Sequence, residues 1–151
     1  MRVFITYCSA RKDDSLKGTG IEVTPDVLYI GKTRIQPFMR ACRQQGVRWA
    51  IFSDLYGIWF SEEKHAWYEK SPDDVSAAEF KVLLENFNDR LAGYEEIYFY
   101  RPSPVYFHTL YKRLLQETKL RERIRIISSI SRVSHYKLNK TNWLQSATIE
   151  S

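Results

Sequence analysis

Val3-Phe4-Ile5-Thr6-Tyr7-Cys8-Ser9-Ala10-Arg11-Lys12 decides how this chain is read. Five apolar or β-branched residues form the pattern of a buried strand, and a thiol, a hydroxyl and two cations follow at once. A strand that stops in reactive side chains stops at a site, because in open α/β sheets ligands bind outside the carboxyl ends of the strands. Working outward, Val47 to Ser53 repeats the pattern, ending in Ser53-Asp54-Leu55-Tyr56-Gly57. Glu96 to Tyr100 is a third strand, opening into Arg101-Pro102-Ser103-Pro104, and Ile124 to Ile127 is a fourth.

Helical periods lie between these strands. Ile35, Phe38, Met39 and Cys42 recur at helical spacing over Thr33 to Gln45, with Gly46 as the stop and Cys42 as a core residue. Pro72 to Ala92 has Ser76 and Glu79 in capping-box spacing, an apolar stripe of Phe80, Leu83, Leu84, Phe87 and Leu91, and Gly93 as its end. Val105 to Thr118 is predicted as a helix with Tyr106, Leu110, Leu114 and Leu115 in register. Asp13 to Pro25 reads as a loop, Val27 to Ile30 as a strand or docking segment, and Ser61 to Glu69 as a loop or irregular turn. Strands separated by helices require crossovers and a mainly parallel sheet. The fold class is α/β, a single three-layer Rossmann-like domain over 1–151, with 128–151 a basic and less regular extension.

The chain has 151 residues, 44% hydrophobic and 27% charged, enough for one substantial core. No apolar run approaches a membrane span, no signal peptide is expected, and two cysteines are too few for a secreted disulfide scaffold. The expectation is therefore a cytoplasmic protein with reduced thiols and no membrane partner. Net charge is +5, but residues 110–145 hold nine Lys or Arg against Glu117 and Glu122, so the excess lies at that end. Lys112, Arg113, Lys119, Arg121, Arg132, Lys137 and Lys140 read as contacts to a polyanion such as nucleic acid, which clustered cations bind by releasing counterions, or as a solvated helix face and tail.

Familiar signatures are absent. Gly18-Thr19-Gly20 lacks the strand and helix that a phosphate loop needs, His65, His108 and His135 are scattered, neither cysteine belongs to a Cys-x-x-Cys pair, and there is no Gly-x-Ser-x-Gly elbow. No cofactor or metal is expected. The chemistry falls to the strand ends. Cys8, near Arg11 and Lys12, reads either as a thiol of lowered pKa and a nucleophile or as a buried thiol that closes the strand. Lys12 suits a phosphate or is a solvated loop lysine, Ser9 adds a hydroxyl, and Asp54 suits a general base, the edge of a nucleobase or a turn after the strand. Tyr56, Trp59, Trp67 and Tyr68 read as a stacking platform or as core aromatics, with Gly57 and Arg101 completing the rim.

A strand ending in Cys8-Ser9-x-x-Lys12, a helix, a strand ending in Ser53-x-x-Tyr56-Gly57, and then an acidic and aromatic segment containing Tyr68 resembles the DUF6884-type proteins. That family is related to the YaaA peroxide-stress family and to the central domain of archaeosine synthase. The resemblance covers about residues 3 to 110. It implies a fold like uracil-DNA glycosylase and a nucleic-acid or nucleotide site, with base-modifying or glycosylase-like chemistry as the enzymatic possibility. In archaeosine synthase the related segment continues into Pro-Tyr, whereas Asp13-Asp14 follow here, so lysine transfer and amidine formation are not implied. Val3 to Ser9 followed by Lys12-Asp13-Asp14 also resembles the opening box of TIR-like domains, which hydrolyse NAD or assemble through their loops. A third reading makes Trp59 to Tyr68 the binding loop of a non-catalytic interaction module.

Overall fold

β1 (Arg2–Tyr7) is the central strand of a five-stranded sheet in the computed structural model, which describes residues 1–130. Its neighbours are β3 (Trp49–Ser53) on one side and β6 (Glu96–Tyr100) on the other, both parallel to it, with Phe4 opposite Trp49 and Val3 opposite Ile97. β7 (Ile124–Ile127) adds in parallel beyond β6, and β4 (Gly57–Phe60) adds antiparallel beyond β3. The order is β4-β3-β1-β6-β7. Val3, Phe4 and Ile5 are wholly buried, as expected of a parallel strand covered on both faces.

Helices cover the two faces. α2 (Ile35–Gln44) sets Ile35, Phe38, Met39 and Cys42 against Phe4, Trp49, Ile51 and Tyr98. On the opposite face, α3 (Ala77–Leu91) and α4 (Thr109–Glu117) bring Phe80, Leu83, Phe87, Leu110 and Leu114 onto Val3, Ile5, Ile97 and Phe99. The chain thus winds from β1 through α2 to β3, then returns by α3 to β6 on the far side of β1. Its direction reverses between β1 and β6, which is where such sheets open a crevice at their carboxyl edge.

Several local expectations are corrected. α3 begins at Ala77, after a single 3-10 turn at Pro72–Asp74, and both halves of the Ser76 and Glu79 capping box form. Gly93 does not stop it through a left-handed turn, since only Gly18, Gly20, Gly46 and Gly57 have positive φ, whereas Gly46 after α2 does so with φ +64°. α4 starts four residues later than Val105, because Pro102 and Pro104 hold the chain out of helix, Phe107 turns into the core and Tyr106 is left 84% exposed. The Asp13 to Pro25 stretch contains a 3-10 turn at Asp14–Leu16 and the short strand β2 (Glu22–Val23), which pairs with β5 (His65–Ala66). Val27 to Ile30 is divided between a helical turn, α1 (Pro25–Leu28), and an antiparallel bridge from Tyr29 to Lys12. Residues 131–151, most of the basic extension, lie outside the described residues.

Candidate functional site

The turn after β1 is pinned from two directions. Cys8 N–H donates to the Phe52 carbonyl at 3.0 Å, carrying the β1–β3 ladder one residue past the strand. Asp13 N–H donates to the Leu28 carbonyl and Ile30 N–H to the Arg11 carbonyl, so Lys12 is clamped against Tyr29. Ser9 Oγ accepts from Arg11 N–H at 3.2 Å and lies so near Gly31 that a Cβ there would meet it at 3.3 Å. The result is an exposed Arg11 and a Lys12 only 9% exposed. The Lys12 ammonium sits 4.4 Å from the centroid of the Tyr68 ring and makes no hydrogen bond or ion pair among the described residues.

The turn after β3 is built by Ser53, whose Oγ accepts from Leu55 N–H and Tyr56 N–H. Gly57 closes it with φ +74°, and Asn86 Oδ1 of α3 accepts from Ile58 N–H at 2.8 Å. Asp54 is thereby held 3% exposed, where Tyr111 O–H donates to its Oδ1 at 2.7 Å. Cys8 Sγ lies 3.6 Å from the same tyrosine oxygen, and since the Tyr111 proton goes to Asp54, the thiol is the donor of that contact. His108 caps α4 by accepting Leu110 N–H on Nδ1, which leaves Nε2 to donate to Asp73 at 2.8 Å and sets the helix start that delivers Tyr111.

This environment makes Cys8 the buried thiol that closes the strand and not a low-pKa nucleophile. Burial and the neighbouring Asp54 carboxylate push the thiol up to about 12, so it rests as a protonated hydrogen-bond donor. Arg11 and Lys12 are adjacent in sequence but do not set its charge state. Burial also raises Asp54, against the bond from Tyr111 and the charge of Lys12, both of which favour its carboxylate. Desolvation likewise raises Tyr111 far above the ordinary phenol range.

The aromatic residues are more enclosed than a stacking platform requires. Trp59 is fully buried and Tyr68 is 5% exposed, its hydroxyl bonded to that of Tyr29. Tyr56 donates to the Ala66 carbonyl at 3.0 Å and has one face covered by His65, with ring centroids 4.0 Å apart. Lys17 lies over Trp67, whose indole N–H is buried without a partner among the described residues. Arg101 stands at the end of β6, its N–H on the Ile127 carbonyl and its guanidinium 5.5 Å from the Phe107 ring centroid. Cys8, Lys12, Asp54, Tyr68 and Ser53 are thus brought together, while Arg11 faces solvent.

No protein-family model, curated protein or solved structure matches this chain. Among the described residues no three His, Cys, Asp or Glu gather as a metal site, both cysteines are free, and no helix is long and apolar enough to cross a membrane.

The basic residues fall elsewhere. α4 runs antiparallel to the strands it connects, so Lys119 and Arg121 lie at the amino end of β7, the opposite edge of the sheet from Cys8. Lys112 and Arg113 are exposed on α4, and Arg113 pairs with Glu117 at 2.5 Å and covers Phe80. Arg132, Lys137 and Lys140 lie outside the described residues. Within residues 1–130 the basic segment therefore does not continue the strand-end rim.

Sequence reading missed Tyr111, Tyr29 and Arg34. Tyr111 gives no local signal beyond an aromatic on a helix, because its partner Asp54 is 57 residues away. Arg34 resembles any solvated cation at a helix start. Its guanidinium instead crosses the end of β1, donating to Thr6 Oγ1 at 3.0 Å, to the Tyr7 carbonyl at 2.7 Å and to the Cys8 carbonyl at 3.1 Å. It lies 3.7 Å from the Tyr7 ring centroid.

Proposed function

We propose that this chain is a nucleotide-binding domain, taking a nucleobase and its phosphate at the carboxyl ends of β1 and β3, with base modification as its enzymatic possibility. One observation carries the reading: Lys12 is nine-tenths buried, yet its ammonium has no hydrogen-bond acceptor and no ion-pair partner among the described residues. Its stem is buried against Tyr68 while the donors of the ammonium stay unused, which suits an anionic ligand group. Asp54, beside it, is a buried carboxyl of raised pKa with a bonded tyrosine, the kind of group that reads a base edge or moves a proton. The depth of both groups favours a single nucleotide, free or extruded from a strand, over a polymer backbone.

The resemblance to the DUF6884-type and YaaA proteins, and through them to a uracil-DNA-glycosylase-like fold, belongs to the same proposal. The mostly parallel sheet with helices on both faces is compatible with it. In the test, labelled single-stranded DNA, duplex DNA, tRNA and mononucleotides are titrated over a salt series against wild type and Lys12→Ala. The expected result is binding of mononucleotides or single strands that falls about tenfold or more in the variant, the scale of a charge-assisted contact. Absence of all binding at low salt overturns the proposal.

A further inference from the structure

We propose that Arg34 is a second anion-binding group of this site, and that with Lys12 it selects a ligand carrying a phosphate dianion at the carboxyl end of β1. The inference deepens the nucleotide reading and rests on it for the choice of probes.

Placement is the first ground. Arg34 precedes α2 on one face of the sheet, but its guanidinium reaches over the end of β1 to the ring of Tyr7, which packs on the other face. It therefore spans the carboxyl edge at the position where the winding direction reverses. Thr6, one of its acceptors, itself donates to the Tyr100 carbonyl of β6 at 2.9 Å, so the guanidinium borders the β1–β6 crevice.

Charge is the second ground. All three hydrogen bonds of Arg34 go to uncharged oxygens, a hydroxyl and two carbonyls, and it makes no ion pair among the described residues. A guanidinium has five N–H donors, so two are left for a ligand. Burial lowers its pKa. α2 begins at Arg34 with no side-chain cap, adding the positive end of a ten-residue helix. The nearby carboxylate, Asp54, is bonded to Tyr111.

Lys12 is the independent second observation, a side chain nine-tenths buried whose ammonium makes no hydrogen bond or ion pair among the described residues, on the same Cys8 to Lys12 turn whose Cys8 carbonyl Arg34 holds. Arg34 has no ion-pair partner among the described residues and Lys12 shares only the field of the buried Asp54 carboxyl, so a ligand at this turn meets two cations. A phosphate monoester supplies two negative charges above its second pKa of about 6, and a diester supplies one.

The experiment compares adenosine and uridine 5′-monophosphates at pH 8 with their singly charged 5′-methyl phosphate esters and with inorganic phosphate, by calorimetric titration of wild type, Arg34→Gln and Arg34→Lys. Thermal unfolding establishes that each variant is folded. Wild type is expected to bind the monophosphates on the order of tenfold tighter than the esters, as a further charge-assisted contact implies. R34Q should abolish that preference while R34K keeps most of it. A purely structural role predicts that R34K behaves like R34Q, since lysine cannot hold three acceptors of the β1 end in a planar fork. Loss of the preference in a folded R34K, or an unchanged preference in R34Q, overturns the inference and leaves the nucleotide reading standing. Arg34-dependent binding of inorganic phosphate with no nucleotide binding sinks the nucleotide reading alone. If wild type binds none of the probes, both fall.

Discussion

Gly57→Ala is the substitution whose cost the structure specifies most fully. Gly57 has φ +74°, and a Cβ added there would lie 2.3 Å from Asn86 Oδ1, the atom that accepts Ile58 N–H at 2.8 Å. The left-handed backbone costs a residue with a Cβ about 1–2 kcal/mol. The clash forces the Asn86 amide away, stranding the N–H of the buried Ile58 at about 1–3 kcal/mol. G57A should therefore destabilise by about 2–5 kcal/mol in total, a large part of a small domain's stability. Equilibrium urea unfolding followed by tryptophan fluorescence measures it, with an unchanged m-value showing that the unfolded state is the same. The two contributions separate in a double-mutant cycle. Asn86→Ala alone should cost about 1–3 kcal/mol, and G57A in that background only the further 1–2 kcal/mol of backbone strain. Equal costs for G57A in both backgrounds, or a total below about 1 kcal/mol, would refute the assignment of Asn86 as the group that the glycine accommodates.

Two further predictions concern the buried acids. Burial raises Asp54 above the ordinary 3.8, so the folded state holds that proton more tightly than the unfolded state. Its contribution to stability is complete below the unfolded pKa and is lost as pH rises through the folded value. Asp54→Asn, which still offers Tyr111 an acceptor, should gain stability relative to wild type between pH 4 and pH 7; parallel pH slopes in urea unfolding would show that Asp54 does not titrate this way. Cys8, pushed up to about 12, and Cys42, raised by burial in the core, should both react slowly with a thiol-specific disulfide reagent at pH 8 until urea exposes them. Rapid labelling of one thiol in the folded protein would restore Cys8 as a nucleophile.

Much of the architecture was legible from local pattern. The strands at Val3, Val47, Glu96 and Ile124 and the stripes beginning at Ile35 and Phe80 were readable because burial imposes periods of two and 3.6 on residues close in sequence. Ser76 and Glu79 were readable as a cap because that reciprocal bond closes within four residues. Where local signals competed, the reading failed. Tyr106 matched a helical register, but the two prolines before it and the burial of Phe107 decided the chain path, leaving Tyr106 in solvent.

The site divides along the same line. By itself the sequence determined that polar and titratable groups cluster at the ends of two strands, because strand termini and composition are properties of neighbouring residues. Only the tertiary structure decided their chemistry. Cys8 follows its neighbours across space: Tyr111, 103 positions away, and the buried Asp54 outweigh the cations beside it in the chain. Arg34 entered the site by crossing the edge of the sheet to acceptors 26 to 28 positions back. Charge and proton affinity depend on distance and desolvation, and those are set by which segments the fold brings together.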